Sequence, residues 1–383
     1  MIVSQSQFSR RDAKQRIVTL LRQGKAESRA DLARELGVAP SSVSTWVAEL
    51  VASGHILEGG PGESRGGRRP QRLQPAESRG QLAVAEVGGH HCRLGITSES
   101  AELLYSESHE LDLQAGPEAV LGWIGEQLQQ LSSRAEHGPM LAAGIALPGP
   151  VDPVAGLINM PSRMPGWAGW PVLTRLQGLL GVPVVIENDA NAMALGEHRR
   201  RFGSSRTSLM VKAGTAIGAG LVIDGQLMRG SSYSAGDVTH TRVHAAADLP
   251  CSCGKVGCLE TVASGAGLVD MLTKDGVAVA NTADVMQLAA DAHPKANTLL
   301  RQAGAHLGDA LSAAIGLLNP DALFLSGALA QSEHFISEVK SRIYANCHPL
   351  TIHGLIVDTA ITGPDATLLG MSYLASELAN SAD

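Results

Sequence analysis

Three of the five cysteines in this 383-residue chain lie within eight residues, and a histidine precedes them at a distance that suits a metal site. His240, Cys251, Cys253 and Cys258 follow the pattern H-x10-C-x-C-x4-C. Thiolate and imidazole groups are the ligands that Zn²⁺ prefers, and four protein ligands close its tetrahedral shell. The sequence therefore predicts a structural Zn²⁺ site. The alternative is a turn that buries three free cysteines.

The cysteine content also bears on the compartment. Five cysteines in a chain of this length do not form a disulfide framework, and a tight cluster is typical of metal binding in a reducing compartment. No apolar run reaches the roughly 18 residues of a membrane span. The first residues, MIVSQSQFSRRDAK, contain no apolar signal-peptide core. We therefore expect a cytoplasmic protein that has no membrane partner.

The net charge of −7 is unevenly distributed along the chain. Residues 1–75 carry twelve Lys and Arg against seven Asp and Glu, a net charge of +5. The remaining residues carry eighteen against thirty, a net charge of −12. A small basic part on a larger acidic body suggests that one part meets a polyanion and the other does not.

The basic part has the pattern of a helix-turn-helix unit. Apolar residues at helical spacing predict one helix over residues 12–23 and a second that begins after Ser28 and ends at Gly37. Pro40 suits the first position of a further helix, because its missing N–H costs nothing there. Two helices joined by a short turn with glycine are typical of DNA-binding proteins, in which the second helix enters the major groove.

The predicted DNA contacts come from that second helix and from a wing. Short hydroxyl side chains at the N-terminal end of the helix can reach phosphates or base edges. The segments HILEGG and RRPQRLQP, joined by GPGESRGG, predict two strands whose arginine-rich tip can lie along phosphates or enter a narrow minor groove. A solvated linker is the alternative for the tip. The predicted DNA-contacting residues are Ser41, Ser42, Ser44, Thr45, Arg65, Arg68, Arg69 and Arg72.

From about residue 81 the pattern changes to strands separated by helices. LAVAEVGG and HCRLGITS predict a strand pair, followed by a helix around 117–134 and the strand MLAAGIALPG. VPVVIEND is a buried strand that leads into the helix ANAMALGEHRR. SLMVKAGTAIGAGLVIDGQLM predicts a further strand pair, and a helix near 296–318 leads into the strand DALFLSGALA. This mixture predicts an α/β fold.

The motifs PGPVD, PGW, ENDANAMALGE, GTAIGAG, AGDVTH and CSCGKVGCLE occur in an order that resembles the ROK family of repressors, open reading frames and sugar kinases. The resemblance covers about residues 81–375 and implies a two-lobed, actin- and hexokinase-like (ribonuclease H-like) body. The preceding unit is similar to the repressor branch, with its xylose and N-acetylglucosamine regulators. We therefore expect a winged helix-turn-helix domain over 1–75, a first lobe over 76–198 that the helix 366–383 completes, and a second lobe with the zinc site over 199–365.

The resemblance also implies a sugar site. It assigns sugar contacts to Asn188 and Asp189 of ENDAN, to Asp237 and His240 of DVTH, and to Glu260 after the last cysteine. Carboxylates and amides suit a sugar because each can span two neighbouring hydroxyls. The alternative role of Asn188 and Asp189 is to cap the following helix, and the two roles can coexist. In the family, the zinc shapes the loop beside the sugar and helps to link it to the DNA-binding domain.

Three positions depart from the family pattern. Asp237 is one methylene shorter than the glutamate of the usual ExGH motif, and Thr239 stands where glycine is usual. Arg163 stands ahead of PGW, where the family often has asparagine. An arginine at the pocket would favour an acidic or phosphorylated ligand. A solvent-exposed arginine is the alternative.

The phosphate-binding loops of the family's kinases are altered. The DxGGT-type loop keeps its glycines, but Glu86 and His90 replace the acid and the threonine. In GTAIGAG, Ala216 and Ala219 replace glycines at which the backbone approaches phosphate, and SGALA lacks the second glycine of a usual pair. Phosphoryl transfer depends mostly on positioning and electrostatics. We therefore expect no kinase activity, although Asp189, the base in family kinases, is retained.

These observations predict a sugar-responsive, DNA-binding transcriptional regulator, a repressor of carbohydrate-utilisation genes with a structural Zn²⁺. The first alternative is an ATP-dependent sugar kinase with an accessory N-terminal domain, and the second is a DNA-binding protein with a vestigial sugar pocket. Two-fold DNA readers need dimers. The expected partners are a double-stranded DNA operator, a sugar or sugar derivative, and further copies of the chain in a homodimer or tetramer.

Overall fold

The computed structural model describes residues 10–22, 24–52, 55–61, 71–76, 79–89, 91–135, 137–159 and 164–381. Within these ranges the chain forms a small N-terminal unit followed by two five-stranded sheets covered by helices. The predicted α/β fold is confirmed. Among the described residues, no helix combines the length and the apolar character that crossing a membrane requires.

The N-terminal unit contains three helices and one antiparallel strand pair. They are α1 (Arg10–Arg22), α2 (Arg29–Leu36), α3 (Pro40–Ala52), β1 (Ile56–Pro61) and β2 (Gln71–Pro75). The side chain of Ser28 caps α2 by accepting a hydrogen bond from the Asp31 N–H, and Gly37 ends the helix in the left-handed conformation, at φ 65°. Both ends of α2 and the start of α3 at Pro40 therefore agree with the local sequence signals.

The core of this unit is apolar and comes from all three helices. Ile17, Leu32, Val43 and Val47 are fully buried. The spacing of the two valines places them on one face of α3. The opposite face and the N-terminal end of α3 are left for solvent.

The first sheet follows the N-terminal unit and has the strand order β5-β4-β3-β6-β9. Its strands β3, β6 and β9 are parallel, so their carboxyl ends meet at one edge. Two short strands, β7 and β8, form a separate hairpin, and α4, α5 and α6 connect the strands. The bounds are β3 (Gln81–Val87), β4 (His91–Ser98), β5 (Leu103–Glu110), α4 (Pro117–Arg134), β6 (Met140–Leu147), β7 (Val151–Asp152), β8 (Leu157–Ile158), α5 (Val172–Leu180), β9 (Val184–Asn188) and α6 (Asp189–Phe202).

The second sheet has the strand order β12-β11-β10-β13-β14. Strands β10, β13 and β14 are parallel, and β11 and β12 are antiparallel to their neighbours. A separate apolar core under this sheet includes Phe335 and Leu300, both fully buried. The bounds are β10 (Thr207–Ala213), β11 (Ile217–Ile223), β12 (Gln226–Met228), α7 (Glu260–Ala263), α8 (Gly265–Lys274), α9 (Thr282–Ala290), α10 (Pro294–Leu318), β13 (Ala322–Ser326), α11 (Glu333–Asn346), α12 (Pro349–Ile352) and β14 (Ile356–Thr359).

The last helix, α13 (Ala366–Ser381), returns to the first sheet and crosses α6 closely. A Cβ atom at Gly196 would lie 1.9 Å from the Ala366 carbonyl oxygen, and one at Gly370 would lie 1.8 Å from the Ala192 oxygen. Only glycine permits this approach of the two backbones. The helices α6 and α13 are therefore locked together beside the edge at which β9 ends.

Candidate functional site

The cysteine cluster lies in the loop between β12 and α7. The ligand atoms of His240, Cys251, Cys253 and Cys258 all lie within 4.8 Å of one another. The Sγ atoms of Cys253 and Cys258 are 3.7 Å apart, and Cys251 Sγ is 3.7 Å from His240 Nδ1. Four ligands at about 2.3 Å from a tetrahedral centre would lie about 3.8 Å from one another. The four residues therefore form a cluster that could bind a metal ion.

Two glycines let the backbone fold around this cluster. Gly254 and Gly257 adopt the left-handed region, at φ 86° and 82°. The Gly254 N–H donates to the Cys251 carbonyl at 3.0 Å, which closes the turn between the cysteines. A Cβ atom at Gly257 would lie 2.9 Å from the Ala247 carbonyl oxygen. A side chain at either position would therefore strain the turn that brings the thiols together.

The thiols of the cluster differ in acidity. Burial raises the pKa of Cys258 to about 12, and the neighbouring sulfurs of Cys253 and Cys251 add to the effect. At Cys253, burial also acts to raise the pKa, but hydrogen bonds from the Lys255 backbone and from the neighbouring thiols outweigh it and lower the pKa. Cys253 is thus a more acidic thiol than Cys258. A bound metal ion would release protons from the thiols.

The lobe-one side of the predicted sugar site lies where β9 runs into α6. Asn188 caps α6, since its Oδ1 accepts a hydrogen bond from the Asn191 N–H at 3.1 Å. Its Nδ2 donates to the Gly149 carbonyl at 2.9 Å. Asp189 is the first residue of the helix, and its side chain is partly exposed. The capping alternative thus applies to Asn188, whereas Asp189 is not a cap.

The second-lobe side of the predicted sugar site is held by hydrogen bonds to Ile217, the first residue of β11. The Ile217 N–H donates to Glu260 Oε2 at 3.1 Å, and Thr239 Oγ1 donates to the Ile217 carbonyl at 2.8 Å. Glu260 is buried, whereas Asp237 is exposed and uses its Oδ1 to accept from the N–H groups of Thr239 and His240. Thr239, which departs from the family pattern, therefore anchors its loop to the sheet through its hydroxyl.

The two sides meet because β11 lies directly on the first turn of α6. A Cβ atom at Gly218 would lie 3.0 Å from the Ala190 Cβ, and one at Gly220 would lie 2.7 Å from the Ala190 carbonyl oxygen. These glycines let the two backbones approach closely. Strand β11 therefore holds Glu260 at its first residue and packs against the first turn of α6, which begins at Asp189.

Three ion pairs near this contact, two of them made by Lys212, are absent from the sequence-based prediction. Lys212 Nζ lies 2.9 Å from Asp189 Oδ2 and 3.4 Å from Glu86 Oε1. Arg229 Nε lies 2.6 Å from Oε2 of Glu187, a carboxylate that is 1% exposed. The available signals were a lysine inside the apolar run LMVKA and the glutamate in VPVVIEND, because buried charges are almost always paired.

The Glu187 carboxylate joins the start of α6 to the loop that follows β12. Its Oε1 accepts from the Asn188 N–H at 2.9 Å and from Asn191 Nδ2 at 3.0 Å. Its other oxygen is held by Arg229, whose carbonyl accepts from the Ala235 N–H at 3.0 Å. A displacement of the loop that leads to Asp237 would therefore break a charged contact at the cap of α6.

The altered phosphate loop before β11 forms internal backbone contacts. The Gly214 N–H donates to the Ala216 carbonyl at 3.0 Å, and the Gly214 carbonyl accepts from the Gly265 N–H at 2.8 Å. The Thr215 carbonyl accepts from the Ala266 N–H at 2.9 Å. Backbone hydrogen bonds therefore hold this loop against the start of α8. His90 and Arg163 lie outside the described residues.

The predicted DNA-contacting hydroxyls lie at the start of α3. Ser41, Ser44 and Thr45 are exposed, whereas Ser42 is half-buried and less accessible to DNA than the other three. Ser44 Oγ donates to the Pro40 carbonyl at 2.9 Å, and Thr45 Oγ1 donates to the Ser41 carbonyl at 3.1 Å. Their oxygens remain able to accept further hydrogen bonds.

The predicted wing arginines are only partly within the described ranges. Arg72 lies on β2 and is exposed, with its Nη2 atom 3.3 Å from Glu27 Oε1. Arg65, Arg68 and Arg69 lie outside the described residues.

Comparison with known proteins relates the body of the chain to sugar kinases and sugar-linked repressors. The ROK family model matches residues 82–378. A xylose repressor from Caldicellulosiruptor bescii is 30% identical over 250 residues, which are 64% of this chain and 62% of that protein. The chain thus spans less than two thirds of the length of that relative. A glucokinase from Halalkalibacterium halodurans is 26% identical over 314 residues, which are 77% of this chain and 95% of the glucokinase.

A solved structure covers both the N-terminal unit and the body. A ROK family transcriptional regulator, described as a homolog of the E. coli MLC protein, aligns with a TM-score of 0.75 over 97% of both chains. Its sequence identity of 24% means that this likeness shows the fold alone. The prediction of a two-lobed, actin-like body preceded by helices is confirmed.

Proposed function

Because the chain belongs to the ROK family, we propose that it is a sugar-responsive, DNA-binding transcriptional regulator without kinase activity, a repressor of carbohydrate-utilisation genes. The observation that carries the proposal is the compact N-terminal unit of three helices and a strand pair, which precedes the family domain at residues 82–378. The repressor named among the relatives supports the same conclusion.

In this proposal, α2, the Gly37 turn and α3 are a helix-turn-helix, and β1 and β2 are its wing. The exposed residues Ser41, Ser44 and Thr45 lie at the end of α3 that would enter the major groove of a double-stranded operator. The net positive charge of the first 75 residues favours DNA binding by this part of the chain, because phosphates repel the acidic body. A half-buried Ser42 contributes less to the contact.

The Cys₃His cluster is proposed to hold a structural Zn²⁺. His240, Cys251, Cys253 and Cys258 present three sulfurs and one nitrogen at mutual distances that suit a tetrahedral ion. When bound, Zn²⁺ would offset most of the negative charge of the three thiolates and stabilise the loop between β12 and α7. It would have no open coordination position for catalysis.

The proposed sugar site consists of Asn188, Asp189, Asp237, His240 and Glu260. His240 belongs to both sites: its Nδ1 faces Cys251, and its backbone lies in the loop that Asp237 closes. A sugar that orders this loop would therefore also affect the metal cluster. The sugar can change the affinity for DNA only if the protein has two arrangements of its paired N-terminal units and the sugar binds the protein more tightly in one of them. The working form is thus a homodimer or tetramer, and it acts in the cytoplasm.

A sugar kinase is the second candidate, and two observations favour it. Asp189, which the family resemblance identifies as the catalytic base, lies beside the predicted sugar residues, and one relative is named a glucokinase. The altered phosphate loops weigh against it, since Ala216 and Ala219 replace glycines at which the backbone approaches phosphate. We place the regulator first for this reason.

The test is DNA binding, with and without sugars. The chain is used to select fragments from its source genome, and fluorescence anisotropy then measures the affinity for a selected fragment in the presence of neutral, acidic and phosphorylated sugars. We expect selective binding that one sugar changes by about tenfold or more. Failure to select DNA, together with sugar-dependent ATP hydrolysis, would favour the kinase.

The chain offers a matched pair of variants for this test. Ser44 and Thr298 are each the fifth residue of a helix that begins with proline, both are exposed, and each hydroxyl donates to the carbonyl of that proline. Ser44→Asp places a negative charge at the proposed DNA contact, whereas Thr298→Asp places it on α10. We expect the first substitution to weaken DNA binding by about tenfold or more and the second to have no effect.

A further inference from the structure

A lysine from the second sheet extends to two carboxylates of the first lobe, one on strand β3 and one at the start of α6. Lys212 lies on β10, whose other residues from Leu209 to Ala213 are apolar, and its side chain is 23% exposed. Its Nζ contacts Asp189 Oδ2 at 2.9 Å, and it lies 3.4 Å from Oε1 of the buried Glu86. The three groups therefore form an ion triad that joins the two lobes at the predicted sugar site.

The triad is stable only with a cation between the carboxylates. Glu86 and Asp189 would repel each other if both were ionised without one. Burial alone would lower the pKa of Lys212, but the charges of Asp189 and Glu86 and their hydrogen bonds outweigh it, and the pKa of Lys212 is raised. The ammonium group is therefore charged at neutral pH.

The residues at this position do not fit the Mg²⁺-nucleotide complex that family kinases use. Mg²⁺ requires oxygen ligands at about 2.0–2.1 Å in octahedral geometry and is commonly held through one or two carboxylates and the phosphates. Here an ammonium group already occupies the oxygens of Glu86 and Asp189, and its positive charge repels a second cation.

We infer that Lys212 determines the ligand specificity of the predicted sugar site by taking the place of a divalent cation between Glu86 and Asp189. This site therefore binds its sugar without metal or nucleotide. An ammonium group has three N–H bonds, and the two carboxylates engage two of them. The third donates to an oxygen of the bound sugar, a detail that rests on the proposed sugar-binding function.

Mn²⁺ is the probe for this inference, because its unbound form is counted directly by electron paramagnetic resonance. The proteins compared are the wild type, Lys212→Met, the double variant Lys212→Met/Glu86→Gln, and Lys274→Met, in which an exposed lysine at the end of α8 is replaced. We expect Lys212→Met to gain one Mn²⁺ site that is tighter by about tenfold or more than any site in the wild type. Glu86→Gln removes the gained site, and Lys274→Met behaves as the wild type.

Two results would overturn the inference. The first is a wild-type protein that binds Mn²⁺ as tightly as Lys212→Met, and the second is a folded Lys212→Met variant that gains no site. A second measurement uses only the wild type and so does not require any variant to fold. The melting temperature of the wild type is measured with and without Mg²⁺ and a non-hydrolysable ATP analogue. An unchanged melting temperature supports the replacement of the cation by Lys212, and an increase contradicts it. Neither measurement depends on DNA or sugar. A failure of this inference can therefore be distinguished from a failure of the proposed regulator function.

Discussion

Asn188 performs two tasks that a substitution can separate. Its Oδ1 accepts from the Asn191 N–H and caps α6, and its Nδ2 donates to the Gly149 carbonyl. In the proposed function the same amide holds a sugar hydroxyl. Serine retains an oxygen for the cap but is too short to reach Gly149 or the sugar, and alanine retains neither function.

The size of each effect follows from these contacts. Loss of an N-cap costs about 1 kcal/mol, and an unpaired carbonyl that is half-buried costs about 1 kcal/mol. Asn188→Ala should therefore lower the free energy of unfolding by about 2 kcal/mol, and Asn188→Ser by about 1 kcal/mol. At about 2 °C per kcal/mol for a body of this size, the melting temperatures fall by about 4 °C and about 2 °C. Both variants should bind sugar about tenfold more weakly, since a lost hydrogen bond is worth about 1.4 kcal/mol.

The assay combines thermal unfolding without ligand and calorimetric titration with the sugar that stabilises the wild type most. Asn281→Ser is the matched control, because Asn281 caps α9 in the second lobe through its side chain in the same way. We expect this control to leave sugar affinity unchanged. If Asn188→Ser binds the sugar as tightly as the wild type, Asn188 is only a helix cap and its assignment to the sugar site is wrong.

Three further predictions concern the metal cluster, the wing and a buried histidine. Cys253→Ser should remove the metal and lower the melting temperature, whereas the adjacent Ser252→Ala should change neither; unaltered zinc content in Cys253→Ser, measured by mass spectrometry, would refute the metal assignment. Replacement of Arg68 and Arg69 by alanine should weaken DNA binding and flatten its salt dependence, and an unchanged slope would mean that the wing does not touch phosphate. Burial lowers the pKa of His198 to about 4 from 6.5, so the unfolded state binds the proton first and the free energy of unfolding should decrease by about 2 kcal/mol between pH 7 and pH 5. Urea titrations of His198→Gln should lack this contribution, and a slope equal to that of the wild type would contradict it.

Features encoded by neighbouring residues could be predicted from the sequence. Ser28, Gly37 and Pro40 each act within one helical turn, and the structure places the ends of α2 and the start of α3 at these residues. The metal cluster was predictable for the same reason, since its three cysteines lie in one tight turn. Only His240 has to approach from outside that turn.

Features that depend on distant parts of the chain could not be predicted. Lys212 pairs with Glu86, which lies 126 residues earlier, and Arg229 pairs with Glu187 across a change of lobe. A charged residue in an apolar run indicates that a partner exists, but no local pattern says which one. The half-buried state of Ser42 likewise depends on the packing of the whole N-terminal unit.

The return of α13 to the first sheet has a consequence for synthesis on the ribosome. The core that α13 shares with α6 and the first sheet includes residues near both ends of the body, from Val84 to Leu374. This lobe cannot close until α13 has been translated, whereas the contacts within the N-terminal unit form among residues that precede Gly80. A nascent chain therefore carries a folded N-terminal unit long before its body is complete, and a message cut short before α13 would yield that unit with an open first lobe.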